Sequence, residues 1–332
     1  MQQQEEDYVT CQASFDANEL ATDHPPRWLH PNKKLVYALA CPRGADSHRG
    51  TLHYSRYKEI PLPSLYVPDD AMKQKTQLEM REDAFTYEPT AQEEEGRPVV
   101  SWYKNFAHSH LFIAYAGGLY AQDEMQVAEH PILASLREAL TSSRDKRFRP
   151  LTTEGNEPTP ILIRGVERRI FVKTDRNPGA GRPYGLYGGA FAAASEAAIR
   201  NASVVLKPPT ISNILALEAP PGGRGAYRYE KGFESAPPFV VIHTGNWGTG
   251  AYGGNKVLMA LLQVLAARLA GVDKLVYHTF ERQSSDAYRE GVALLDERLV
   301  ADSEGQQKQI AVDELIGKLT ALQFRWGLSD GN

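Results

Sequence analysis

Cysteine is nearly missing from this chain: of 332 residues only Cys11 and Cys41 carry a thiol. Two such residues exclude a disulfide framework and any cysteine-based metal site, and they fit a reducing compartment. Long apolar runs are missing too. The longest, VLMALLQVLAARLA at 257–270, is too short to span a bilayer and contains Arg268. The N-terminus, MQQQEEDYVT, lacks a basic start followed by an apolar stretch, so no secretory leader is visible. An excess of positive charge is also absent. The net charge of −4 argues against bulk attraction to nucleic acid, although a local basic groove stays open. With no internal repeat either, the expectation is a soluble intracellular protein, cytoplasmic or nuclear, without membrane association and monomeric.

What is present is ordinary globular composition, 42% hydrophobic and 23% charged. The first twenty or so residues are polar and acidic and read as poorly ordered. A proline-rich run leads into 71–98, where charges dominate, and this stretch reads as a solvated helix or a long insertion. From Val99 the pattern changes. VVSWYKNF and HLFIAYA (110–116) read as strands, AQDEMQVA as a helix closed by Pro131, and LASLREAL as a second helix. ILIRGVERRIFV (161–172) reads as two strands or a hairpin, and GGAFAAASEAAIRNA (188–202) as an alanine-rich helix. Strands are expected at 213–220, 238–244 and 274–280, with a helix over 257–270. The alternation predicts an α/β fold with a mixed or parallel sheet, whose ligands gather at strand C-terminal ends. The simplest division is an N-terminal accessory region, 1–98, and a core over 99–332; one continuous domain over 20–330 is the other option.

Glycine is concentrated in one place. HTGNWGTGAYGGNK starts at His243, and five of the ten residues 245–254 are glycine. Such a loop lets backbone N–H groups approach a ligand, and between a strand and a helix it also meets the positive end of the helix dipole. A phosphate or diphosphate is the expected guest; a tight turn needed only for packing is the plainer reading. The loop has no GK[ST] ending, so it is not a P-loop. Gly248-x-Gly250-x-x-Gly253 formally satisfies the dinucleotide fingerprint, which also expects an acidic residue closing the next strand. That strand ends in His278 and Thr279, with Asp273 before it and Glu281 after it.

A second element is Gly117-Gly118-Leu-Tyr-Ala-Gln122-Asp123-Glu124. Two adjacent carboxylates after a glycine turn can serve acid–base chemistry, or can simply favour the helix N-terminus. Together the two elements resemble the poly(ADP-ribose) glycohydrolases, a branch of the macrodomain fold. The resemblance is carried by Gly245, Asn246, Trp247, Gly248, Thr249, Gly250, Ala251, Tyr252, Gly253 and Gly254, which differ from the family's diphosphate loop only in Tyr252 for Phe. It is carried also by Gln122-Asp123-Glu124 with its spacing to Pro131, and by Asn105-Phe106-Ala107. Two features depart from the family pattern: the first turn has two glycines and a shorter spacer, and Asp123 stands for Glu.

The resemblance implies a macrodomain-like α/β/α sandwich with a mixed central sheet. It implies Glu124 as the catalytic acid, with Asp123 holding ribose hydroxyls. Gln122, Gly117, Gly118 and Asn105 would bind substrate, loop 245–253 would cradle the diphosphate, and Tyr252 would press on the distal ribose. No metal or cofactor is called for. The partner would be ADP-ribose or an ADP-ribosylated protein or nucleic acid. Oxocarbenium-like cleavage needs a neutral acid near pH 7, which an adjacent carboxylate and burial supply. A non-catalytic ADP-ribose reader and, further off, a nicotinamide-dependent oxidoreductase are the alternatives. Tyr184-Gly-Leu-Tyr187 reads as either a cleft lining or a plain turn. Arg224 in APPGGRGAY reads as surface. Lys33, Lys34, Arg43, Arg49 and Arg56 read as an acceptor side.

Overall fold

The computed structural model describes residues 8–59, 61–67, 76–83, 85, 87, 93–219, 238–301 and 308–327. Its main elements begin with β1 (Val9–Asp16), α1 (Ala17–Asp23), α2 (Pro31–Ala40), β2 (Thr51–Tyr57), β3 (Gln77–Arg81) and β4 (Arg97–Ala107). Then come α3 (Gln122–Glu129), α4 (Ile132–Ser142), β5 (Ile161–Val172), α5 (Ala190–Ala193), α6 (Glu196–Ala202) and β6 (Ser203–Glu218). The chain continues with β7 (Phe239–Gly245), α7 (Lys256–Ala270), β8 (Lys274–His278), α8 (Arg282–Leu294) and α9 (Val312–Ala321). These elements form two compact units that alternate along the sequence. One takes in Val9–Lys58 and Asn105–Glu218, the other Glu59–Lys104 and the chain from Ala219 on.

In the first unit the strands run in the order β1-β2-β5-β6 and pair antiparallel, with Ala13 opposite Tyr54, Tyr54 opposite Ile163, and Ile163 opposite Ile214. β5 is a single strand, not the two that its sequence suggests. Its buried positions are Ile161 and Ile163, then Val166, Arg168, Ile170 and Val172, so the alternation slips by one residue at Gly165. Gly165 has φ +77°, and a Cβ there would lie 2.4 Å from the Thr51 carbonyl oxygen. The glycine kinks a continuous strand, as a bulge does. Ile170 and Val172 pack with Val36 and Ala40 of α2, Tyr120, Ala128 of α3 and Phe191 in one apolar cluster. Val36, Ile170, Val172 and Phe191 each contribute about 1.5–3 kcal/mol by leaving water.

The second unit has parallel strands in the order β4-β7-β8-β3, in which Phe239 pairs with Val99, Val241 with Lys274, and Lys274 with Gln77. Ile242, Leu275 and Tyr277 pack under Leu261, Val264, Tyr288 and Leu315 of the helices α7, α8 and α9. Phe239, Val241 and Val276 pack with Val99 in a separate cluster. Parallel and antiparallel pairing with flanking helices is the mixed α/β class that the alternation predicts. α7 is a core helix, and among the described residues no helix is long and apolar enough to cross a membrane.

Several local expectations are corrected. Residues 1–7 lie outside the described residues, but β1 and α1 follow at once, with Asp16 capping the helix through the amides of Asn18 and Glu19. Part of 71–98 also lies outside; within the rest, Gln77–Arg81 is strand β3, not helix. HLFIAYA is a chain of turns whose Leu111, Phe112 and Tyr115 are buried. The alanine-rich segment is two helices: the first ends at Ala193, and Ser195 caps the next by accepting the Ala198 N–H. β6 is longer than 213–220 implied. Arg224 lies outside the described residues. Cys11 and Cys41 are both buried free thiols.

Candidate functional site

In the antiparallel unit the end of β4 and the start of α3 are tied together by side chains. Gln122 Oε1 accepts the Phe106 N–H at 2.8 Å, and Asn105 Nδ2 donates to Asp123 Oδ1 at 3.0 Å. Between them, turns closed by Ile113 N–H to His110, Tyr115 to Phe112 and Gly117 to Ala114 bring the chain round. Gly118 is required by close approach, since a Cβ there would sit 2.9 Å from Ala192 Cβ and 3.1 Å from His30 Cδ2. Gly117 is not under that constraint; its nearest neighbour would be Ala114 O at 3.6 Å. The far end of α3 is fixed by the buried Glu129–Arg168 pair, 2.6 Å apart, and by Glu129 accepting Val172 N–H at 3.0 Å.

Asp123 and Glu124 are 8% and 4% exposed, and Asn105 is fully buried. Burial, and then the charge of Glu124, push the Asp123 carboxyl up to about 7, against the opposing pull of Asn105, Lys33 and Arg137. Glu124 Oε2 accepts the Ala121 N–H at 3.1 Å, serving the amide that precedes the helix. Asn105 Oδ1 is buried and has no hydrogen-bond partner among the described residues. A buried acceptor left open costs about 1–3 kcal/mol, so this oxygen is suited to a ligand donor.

Lys33 is the residue that sequence reasoning misplaced. It is 1% exposed, not part of an acceptor-facing surface. Its Nζ donates to the Tyr115 carbonyl at 2.9 Å, and it lies 5.3 Å from the Tyr120 ring centroid. Tyr120 is stacked on Phe191 at 4.1 Å. Burial brings the ammonium down to about 8, while Glu124 and then Asp123 hold its proton on. The available signal was helical spacing: Lys33 shares the buried face of α2 with Val36 and Ala40. Arg56 is also buried, donating to Leu151 O at 3.0 Å and to Glu154 at 2.9 Å. Tyr184 and Tyr187 are 81% and 46% exposed.

In the parallel unit the glycine loop follows β7. Trp247 is buried and covers the Lys104 ammonium, 3.1 Å from the ring centroid, and burial drives that ammonium well below its ordinary pKa. Gln263 of α7 donates to the carbonyls of Gly245 (3.1 Å) and Met259 (2.9 Å) and accepts from the Thr244 hydroxyl. Asn246 Nδ2 donates to Thr279 O at 3.2 Å and Ser284 Oγ at 3.0 Å, and Thr249 Oγ1 donates to Asn246 O at 3.0 Å. Gly254 N–H closes onto Gly248 O and Gly253 N–H onto Gly250 O, each at 2.9 Å. Gly248 has φ +73°, and a Cβ there would meet Ala219 Cβ at 2.5 Å; one on Gly254 would meet the Trp326 ring at 2.4 Å. The amides of Gly248, Gly250 and Ala251 donate to no group among the described residues. Tyr252 is half-buried.

The loop runs from the end of β7 into the N-terminus of α7, as the sequence suggested. Asn255 follows Gly254 directly and caps α7 by accepting Leu258 N–H at 3.0 Å. The two acidic residues that flank β8 are already engaged. Asp273 is buried on Arg97 (2.5 Å) and Val240 N–H (2.7 Å), and Glu281 pairs with Lys256 at 2.7 Å. Near the strand ends, Asp83 accepts from His278 Nδ1 at 2.7 Å and His278 Nε2 lies 3.1 Å from His243 Nδ1. Asn105, Gln122, Asp123, Glu124, Gly117 and Gly118 thus gather in one unit, and residues 245–253 form the loop of the other.

Residues 226–287, which include this loop, match the family model described as poly(ADP-ribose) glycohydrolase (PARG), macro domain fold. Among solved structures, the chain is similar to the poly(ADP-ribose) glycohydrolase of Thermomonospora curvata, at 14% identity and TM-score 0.40, covering 83% of this chain and 98% of that one. It is similar also to that of Deinococcus radiodurans in complex with ADP-ribose, at 15% identity and TM-score 0.41, with the same coverage.

Proposed function

We propose that this PARG-like macrodomain chain is an ADP-ribosyl glycohydrolase, which hydrolyses the bond between the distal ribose of ADP-ribose and its acceptor. The observation that carries the reading is the buried Asp123–Glu124 pair beside the open acceptor Asn105 Oδ1. Glu124, as the carboxylic acid, gives its proton to the acceptor oxygen or nitrogen as the bond to the anomeric carbon breaks. The resulting Glu124 carboxylate then takes a proton from the water that attacks that carbon, which restores the acid. In the reacting form Asp123 has given up the proton that burial favours on it; as the carboxylate it faces the oxocarbenium ion, and it and the neutral Asn105 Oδ1 accept from ribose hydroxyls. The amides of Gly248, Gly250 and Ala251 are the donors offered to the diphosphate, and Tyr252 packs on the distal ribose. Binding energy from the diphosphate orients the reacting sugar without itself changing in the transition state.

One observation favours a second reading, a non-catalytic ADP-ribose reader. The Glu124 bond to the Ala121 amide is what a capping residue makes, so Glu124 can hold the helix start without donating a proton. The two are separated by measuring ADP-ribose release from polymer, mono-ADP-ribosylated protein and ADP-ribosylated nucleic acid, for wild type and Glu124→Gln. The glycohydrolase reading expects release that drops at least 100-fold in the variant while ADP-ribose binding persists. Binding without release from any acceptor selects the reader, and no binding at all sinks both.

A further inference from the structure

The carboxyl pair has a cation beside it that the chemistry above leaves unused. Asn32, the preceding residue, locks this part of α2 by donating to the carbonyls of Phe191 (2.8 Å) and Ala194 (2.9 Å). Lys33 is therefore held on the inner face, with its ammonium on the Tyr115 carbonyl and over the rings of Tyr120 and Phe191. A carbonyl and two ring faces offset part of the cost of burying an ammonium, but not a full charge. Tyr120, under the ammonium, directly precedes Ala121, whose N–H Glu124 accepts, so Lys33 stands at the start of α3 that carries both carboxyls, and their charges help hold its proton on. Other charged groups nearby have their own partners. Arg137 donates to Leu111 O and faces Glu138, although it also acts on Asp123. Glu129 is paired with Arg168, and Arg169 with Glu167 and the Ala40 carbonyl.

We propose that Lys33 is a positioning residue of the carboxyl pair, its fixed positive charge selecting the state that has one carboxylate and one carboxylic acid. With an ammonium present, two carboxylates leave the buried cluster at −1, two acids leave it at +1, and one of each is neutral. In a poorly solvated site the neutral combination is favoured. It is also the combination that glycoside cleavage uses: one proton for the leaving group, one anion for the ribose. Without Lys33 the neutral state has both carboxyls protonated, and the anion is lost near pH 7. The inference rests on reading Asp123 and Glu124 as the reacting pair, but its first test needs no substrate.

The experiment is a carboxyl-carbon NMR titration of Asp123 and Glu124 in ligand-free protein, comparing wild type with Lys33→Met and Lys33→Arg. In Lys33→Met the first ionisation of the pair should move up by at least one pH unit, and Lys33→Arg should bring it back towards wild type. A folded Lys33→Met with an unmoved midpoint overturns the proposal. If that variant does not fold, wild type answers alone: loss of the Lys33 ammonium proton, followed by nitrogen NMR, must displace both carboxyl signals, and signals that stay put overturn it. The acid limb of ADP-ribose release should move up with the same midpoint. If no acceptor is cleaved, the glycohydrolase reading fails while the titration still decides the role of Lys33.

Discussion

Asp123 is held where its charge is unwelcome, and this has a measurable cost. Its folded pKa of about 7 lies above the ordinary carboxylate value of 3.8. Between those values the folded chain keeps a proton that the unfolded chain gives up, so stability falls as pH rises through that window. Asp123→Asn removes the ionisation. Its melting temperature relative to wild type should therefore be nearly unchanged at pH 4 and rise by a few degrees at pH 8, roughly 1–3 kcal/mol. A thermal series in matched buffers checks this; an offset constant with pH would refute it. The glycine turn before an unusual acid pair singles out Asp123 and Glu124 in the sequence, and the fold adds that both are buried. Lys33 was not legible there, since a charged residue is expected outside, and only its spacing to Val36 and Ala40 pointed inward.

At the scale of elements, the glycine loop is built so that substitutions separate by geometry. Gly248→Ala must adopt a left-handed φ and push against Ala219 Cβ. It should cost about 1–3 kcal/mol in stability and weaken ADP-ribose binding at least tenfold. Gly117→Ala meets nothing closer than 3.6 Å and should leave the melting temperature within about a degree of wild type. Calorimetric titration with ADP-ribose and thermal melts test both, and equal effects at the two positions would contradict this account. Glycine was also where element reading went astray. Gly165 looks like a hairpin turn, yet it shifts the phase of one strand, and this shows only when Thr51 lies alongside. The run at 110–116 is apolar because Leu111, Phe112 and Tyr115 anchor turns, and periodicity cannot separate that from a buried strand.

On the scale of the whole molecule, the chain passes repeatedly from one unit to the other, a pattern that local sequence does not disclose. β3 was hidden because QLEMR is charged enough for solvent; it stands at the end of the order β4-β7-β8-β3, with Glu79 2.7 Å from Lys274. A chain reduced to 99–332 would lose β1 and β2 from one unit, β3 from the other, and Lys33 with α2. Such a fragment should show no cooperative melt and no ADP-ribose binding; a cooperative, binding fragment would support the division at Val99. The two thiols belong to this scale as well. Burial pushes Cys41 up to about 12 and raises Cys11, which donates to Arg147 O at 3.1 Å. Thiol-selective dyes thus meet a native background that is close to blank. A cysteine introduced at exposed Tyr184 becomes an address for a fluorophore, through which the motions of its own unit can be followed in single molecules.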